Sequence, residues 1–268
     1  MKEKTLHFTE IKRLKKRRRT VLRVISIGLL SLAVATGLVW FFVFSPVFKF
    51  DNIEVVIDDG ILRDKIVSQL ETQVKNSFFE KIFGNRNFLI WSSKLSEKEL
   101  AAFPEIFTLE IDKQYRKNTL AVTAIERSAL GIWCLQKTSP PSCFKFDDQG
   151  FIFRESLATS GNLIKITRDF YQENLKIGDS ILPEEFGRNF ISVLKVLESS
   201  GLSTKEIILK DLTLQEVEVP LSKGPILYFS LRRSSDIYLE VLKTLSQEEE
   251  FENFNYVDLR AENRVYYK

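Results

Sequence analysis

Most enzyme chemistry at neutral pH starts from an imidazole, a thiolate or a positioned pair of carboxylates, and this chain is sparing with the first two. His7 is its only histidine and lies in a basic N-terminal stretch. The rest of the chain therefore cannot supply a Ser-His-Asp triad, a Cys-His pair or an imidazole-ligated metal. Cys134 and Cys143 are the only cysteines. Two thiolates without histidine leave a zinc site unfilled, so the readings left are a structural disulfide and two free thiols. A bridge closing these ten residues would stabilise by on the order of 2–3 kcal/mol in the chain-entropy picture. Carboxylates are plentiful, but no motif sets a pair for glycoside hydrolysis, and HExxH and Walker patterns are absent. Serine and lysine side chains keep a Ser-Lys protease formally open, with nothing to select a pair. The expectation is a chain without catalysis, cofactor or metal.

The elements that would position any site follow from length and charge. The 268 residues, 44% hydrophobic and 28% charged, suffice for one or two packed domains. Residues 1–23 hold ten Lys or Arg against Glu3 and Glu10, a balance of +8. With +3 for the whole chain, the remainder carries −5. The positive charge is thus confined to one end, and the body is not expected to bind nucleic acid.

No charged residue occurs from Val24 to Phe48, and Val24–Phe44 as a helix would be about 31 Å long, the thickness of a bilayer core. Trp40, Phe41, Phe42 and Phe44 suit a headgroup boundary, and Pro46 stops the helix. Arg13, Lys15–Arg19 and Arg23 fix the N-terminus in the cytoplasm by the positive-inside rule, leaving residues from about 46 outside. The competing reading is a signal peptide cleaved near Ala33-Val34-Ala35, which would leave Thr36–Phe42 as an apolar mature N-terminus.

The exterior body reads as two modules. In the first, Ile53, Val55 and Ile57 alternate as in a strand, then Leu62, Ile66, Leu70 and Val74 recur every four residues as in a helix. Ser96–Glu99 is a capping-box pattern before Leu100 and Phe103, closed by Pro104. Phe107, Leu109 and Ile111 and then Thr119–Glu126 form a strand pair about a turn at Lys117-Asn118. The order is strand, helix, helix, strand, strand. The second module contains β-rich runs at Leu130–Leu135 and Cys143–Phe153, broken by Ser139–Ser142 and bent at Asp148–Gly150. A strand is expected at Asn162–Thr167, and a helix carries Phe186, Phe190, Val193, Leu194 and Leu197. The alternation of Leu212, Leu214, Val217, Val219 and Leu221 slips by one residue at Gln215-Glu216, which predicts a bulge. A strand at Ile226–Leu231, a helix capped by Asp236 and bearing Tyr238, Leu242 and Leu245, and strands at Tyr256–Leu259 and Arg264–Lys268 complete it.

In this order the residues resemble the FtsQ/DivIB family of bacterial cell-division proteins. The resemblance rests on the basic tail, the single span, and Phe48–Val55 at the start of the exterior body. It continues with Pro104-Glu105-Ile106, Asn118–Val122 leading to Glu126-Arg127, Phe146–Phe153, and Tyr256–Arg260 with Arg264–Lys268. Ser128-Ala129 and Arg116 depart from the family pattern, where prolines are frequent. The resemblance implies an α+β chain: a tail at 1–23, a membrane anchor at 24–44, a βααββ POTRA domain at 46–127 and a mixed, mostly antiparallel β-domain with flanking helices at 128–268.

It also implies a non-catalytic scaffold in the plasma (inner) membrane at the division septum. FtsB/DivIC and FtsL type partners would dock at the last strand by strand addition. Carried over by position, the contact residues would be Tyr256, Asp258, Arg260, Arg264, Val265, Tyr266, Tyr267 and Lys268. Arg264 and Lys268 read equally well as gatekeepers against pairing. The POTRA domain would receive an FtsK-type partner or serve as a spacer. The alternative function is that of a POTRA-bearing protein escorting polypeptides in secretion.

Overall fold

The structure, a computed structural model, describes residues 8–57, 60–75, 78–95, 100–157 and 165–268. His7, the Ser96–Glu99 capping box and the first part of the strand expected at Asn162–Thr167 lie outside them. Two compact units emerge, one of residues 1–95 with 109–124 and one of 96–108 with 125–268.

The first unit begins with α1 (Phe8–Phe44), whose stretch from Lys16 to Phe44 is long and apolar enough to cross a membrane. Pro46 ends it by a specific deficit. The carbonyl of Phe42 would be bonded by the N–H four residues on, and proline has none. The side chain of Asn87 supplies the missing donor, Nδ2 to Phe42 O at 3.0 Å, while its Oδ1 accepts the Leu89 N–H at 2.9 Å. β1 (Asn52–Val56) then leads to α2 (Gly60–Lys75) and the single turn α3 (Glu80–Phe83). β2 (Ile106–Gln114) and β3 (Thr119–Glu126), of which residues 109–114 and 119–124 belong to this unit, follow in a sheet of order β1-β3-β2 with β1 parallel to β3. Leu62, Ile66 and Leu70, spaced by four, are buried, together with Val55, Phe88, Trp91, Leu109, Ile111, Leu120 and Val122. Asn118, at φ 51°, makes the turn between β2 and β3 in the left-handed region that asparagine tolerates.

The second unit is built on one sheet. Its strands are β4 (Gly131–Leu135), β5 (Ser142–Phe146), β6 (Ile152–Ser156), β7 (Lys165–Asp169), β8 (Ile207–Leu209), β9 (Glu216–Pro220), β10 (Ile226–Ser230), β11 (Tyr256–Asp258) and β12 (Tyr266–Tyr267). Their spatial order is β12-β11-β10-β9-β8-β7-β4-β5-β6. Pairing is mostly antiparallel, with parallel contacts at β10–β11, β7–β8 and β4–β7. The amphipathic α4 (Glu184–Ser199) and the short α5 (Leu239–Leu245) contribute Phe190, Val193, Leu194, Leu197, Leu242 and Leu245 to one core with Trp133, Phe146, Val219, Leu227, Phe229, Val257 and Leu259. Cys134 and Cys143 lie opposite each other in the β4–β5 register, in a separate cluster with Ile132 and Ile166, and are joined as a disulfide.

Two local expectations are corrected. The phase slip at Gln215-Glu216 is not a bulge: Leu212–Leu214 form a 3-10 turn capped by the Asp211 carboxylate, Gln215 adopts φ 56°, and β9 starts afresh at Glu216. Asp236 does not cap a helix either. It opens a 3-10 turn that runs into α5, and its carboxylate accepts from Ser234 Oγ at 2.7 Å.

Three short sequence segments that are far apart in the chain meet within this unit. Arg127 pairs with Asp147, the two side chains being 13% and 4% exposed. The guanidinium also donates Nε to the Pro104 carbonyl at 3.0 Å and lies over the Phe151 ring at 4.4 Å. Asp147 Oδ1 accepts the N–H groups of Gln149 and Phe151, both at 2.9 Å, and so shapes the turn that Gly150 completes at φ 79°.

Candidate docking edge

A sheet has two outer strands, and here they are β6 and β12. The beginning of β6 is covered: Ile152 N–H bonds to Asp179 O at 2.9 Å, Gly178 N–H bonds to Ile152 O at 2.8 Å, and Phe151 bridges to Ser180. β12 has no such cover among the described residues. It pairs with β11 in antiparallel register, Tyr267 against Val257 and Tyr266 against Asp258.

The register decides which backbone groups are free. Tyr256 and Lys268 exchange bonds in both directions, at 3.3 and 3.4 Å. Since hydrogen-bonded and non-bonded pairs alternate along an antiparallel ladder, Tyr266 faces inward to Asp258, whereas the N–H and C=O of Tyr267 point away from the sheet. No described residue bonds the outward groups of Tyr267. An extended segment laid alongside would find a donor and an acceptor at Tyr267.

Side chains around this edge differ by face, because successive strand residues point to opposite sides. Val265 packs on the main core, and Tyr267 stacks on Phe254 with ring centroids 4.9 Å apart. Tyr266 shares the other face with Asp258. Both tyrosines remain about half exposed, at 49% and 50%. Arg264 and Lys268 are exposed, and Arg264 stands in the bend where Asn263 takes φ 56°.

The rail beside this edge is fixed by Arg260. Its guanidinium grips Asp258 through Nε (2.9 Å) and Nη2 (2.7 Å), and its Nη1 donates to Glu216 Oε2 on β9 at 2.6 Å. It also lies 5.0 Å from the Tyr228 ring centroid on β10, and Tyr228 in turn meets Tyr256 edge-on at 6.4 Å. Three strands, β9, β10 and β11, are thus tied by one side chain and its contacts. Tyr238 Oη adds a bond to Ala261 O at 2.9 Å, anchoring the return loop.

The strand expected at Arg264–Lys268 is shorter, Tyr266–Tyr267, so that Arg264 and Val265 belong to the bend after β11 and Lys268 follows the strand; the eight expected residues thus lie on β11, β12 or directly beside them, in two roles. Tyr256, Asp258 and Arg260 are inward-bound positioning groups, whereas Arg264, Tyr266, Tyr267 and Lys268 are accessible, with Val265 half-buried between the two sets. Sequence reasoning missed Glu216, Tyr228 and Phe254. Glu216 lies at the phase slip, the one signal that could have singled it out. The other two look like ordinary strand and loop aromatics.

Charge-assisted hydrogen bonds from Arg260 hold the Asp258 carboxyl below its usual range, against the opposing effect of partial burial. A folded-state pKa below the unfolded one contributes stability that is complete above the ordinary value of 3.8 and is lost as pH falls through the lowered value. Hydrogen-exchange protection of the Tyr266 and Lys268 amides, referenced to β9, is accordingly expected to drop as pH is taken below 3.8, and Asp258→Asn should flatten that dependence. Protection that stays constant through that window would count against the clamp.

Among the described residues no group of three or more His, Cys, Asp or Glu is placed to hold a metal ion. Compared with models of known protein families the chain matches none, and a search of the curated proteins returns no match.

Proposed function

We propose that this chain is a single-pass scaffold of the bacterial division machinery, of the FtsQ/DivIB kind. Its α1 anchors it with the N-terminus in the cytoplasm, and its β12 edge receives the exterior segment of a small bitopic partner of the FtsB/DivIC or FtsL type. The observation that carries this reading is the open edge: an outward donor and acceptor at Tyr267, on a strand paired to β11, which the Arg260 clamp ties to β9. Three further features support it. The apolar helix of spanning length is followed by a β1-β3-β2 sheet with α2 between β1 and β2, which agrees with the first helix and the three strands of the βααββ order. The segments Pro104–Ile106, Glu126-Arg127 and Phe146–Phe153, on which the family resemblance rests, converge at the Arg127–Asp147 pair. The β-domain follows this module directly, whereas a secretion POTRA would normally precede a membrane barrel or stand in tandem. On the same reading the first exterior unit meets a second division protein of the FtsK type.

The test compares Tyr267→Pro with Tyr267→Ala in the full chain, captured with the exterior segments of small division proteins from the same cell. Proline deletes the outward donor and leaves the β11 ladder intact, because the Tyr267 N–H takes no part in it. Tyr267→Pro is expected to weaken capture on the order of tenfold, equivalent to about 1.4 kcal/mol, and by more than Tyr267→Ala does. Equal binding by both variants and by the unaltered chain would move the docking site off β12. Depletion separates the two functional readings: undivided filaments support the scaffold, and secretion defects with normal septation support the escort protein.

A further inference from the structure

An apolar surface that the core of the first unit does not absorb lies just beyond α2. Phe78 is 72% exposed, Phe79 59% and Ile82 44%. The two rings meet edge-on at 6.0 Å, and Phe79 also reaches Phe83 at 6.5 Å, so they form a small wedge on α3 and the turn before it. A soluble surface would expose such a cluster to water at a cost, and what covers it is indicated by its neighbour. α3 packs against α1. The segment following α3 is bonded to the C-terminal end of that helix through Asn87 and the Phe42 carbonyl, and Phe48 packs its ring on Phe41 and Phe42 at 5.7 and 5.2 Å. The wedge is thus carried on a segment tied to the end of α1 at which Trp40, Phe41 and Phe44 are exposed. Lys49, Lys81 and Arg86, all exposed, lie in the same segments. Apolar rings with a basic rim are the composition that sinks into the headgroup layer while its cations stay with the lipid phosphates.

We propose that the Phe78–Phe83 segment inserts Phe78, Phe79 and Ile82 into the interfacial layer of the outer leaflet beside α1, and so holds the first exterior unit to the bilayer at a second point. This rests on the reading of α1 as a membrane span. The occupant is lipid because the wedge belongs to a segment fixed to the helix end that carries the span's exposed aromatic band.

The full chain is reconstituted into liposomes of zwitterionic and anionic phospholipid, with an environment-sensitive thiol fluorophore at Phe79→Cys, at Leu30→Cys within α1, or at Val56→Cys on the far end of β1. The Cys134–Cys143 disulfide leaves no native thiol for the label under non-reducing conditions. Emission at 79 is expected to shift to the blue and to lose most of its intensity to a nitroxide carried by the lipid near the headgroup. Emission at 30 should respond to a nitroxide deep in the bilayer, and emission at 56 to neither. Quenching at 30 with none at 79 overturns the proposal and leaves the span intact. A blue shift at 79 without quenching assigns the wedge to a protein surface, such as a second copy, and overturns it too. No quenching at 30 removes the span itself, and the proposal with it.

Discussion

Arg127→Met is expected to lower the stability of the second unit by about 3–5 kcal/mol, the cost of leaving one partner of a buried ion pair uncompensated. The Asp147 side chain is only 4% exposed, so its charge has no route to water once the guanidinium is gone. The loss is wider than one contact. Asp147 also organises the turn from Asp148 to Gly150, and Arg127 holds the Pro104 carbonyl. Asp147→Asn should cost less, because an amide oxygen still accepts the N–H groups of Gln149 and Phe151. The double replacement Arg127→Met with Asp147→Leu should recover part of the deficit, since no isolated charge remains. By contrast, breaking the half-exposed Arg154–Glu105 pair should cost less than about 1 kcal/mol. Urea unfolding of the four variants measures the difference, and a loss under about 1 kcal/mol for Arg127→Met would show that the pair contributes no more than a surface bridge.

Trp133→Ala is the second large effect, about 3–5 kcal/mol from the cavity it opens. Trp133 is fully buried, edge-on to Phe190 at 5.2 Å and to Phe146 at 6.2 Å, so it joins α4 to the sheet. It also donates Nε1 to Asp169 Oδ2 at 2.9 Å. Asp169 is itself fully buried, and no cation pairs with it among the described residues. Its oxygens are satisfied by Trp133, the backbone N–H groups of Tyr171 and Gln172, and the Gln172 amide. Trp133→Phe keeps most of the volume and removes one of these donors, so it should cost about 1–3 kcal/mol. If the two substitutions prove equally damaging in thermal melting, the hydrogen bond, and not the packing, dominates at this position.

Periodic elements were legible in the sequence. The four-residue spacing of Leu62, Ile66 and Leu70 and the α4 pattern of Phe190, Val193, Leu194 and Leu197 predicted buried faces, and these side chains are buried. The alternation of Leu227, Phe229 and Leu231 did the same for β10. Such patterns are local, because a single strand or helix must turn its own apolar side inward. The parallel pairings β4–β7, β7–β8 and β10–β11 were not legible, since nothing within a strand encodes which distant strand lies beside it. Gln215 shows a different failure: its left-handed conformation imitates the phase change of a bulge. At the candidate site, the residues of β11 and β12 could be named. Their division into clamp and accessible edge could not, because it depends on Glu216 and Tyr228 from other strands.

The order in which the edge strand is made bears on quality control. β12 is the last strand of its sheet in sequence, and it rests on β11, which rests on β10, which pairs with β9. As the chain emerges from the ribosome, the outward groups at Tyr267 gain a fixed orientation only after every one of those layers has closed. On the reading proposed above, a binding partner would ignore nascent, truncated or damaged copies without any separate proofreading step, since an incompletely folded chain has no rail to offer.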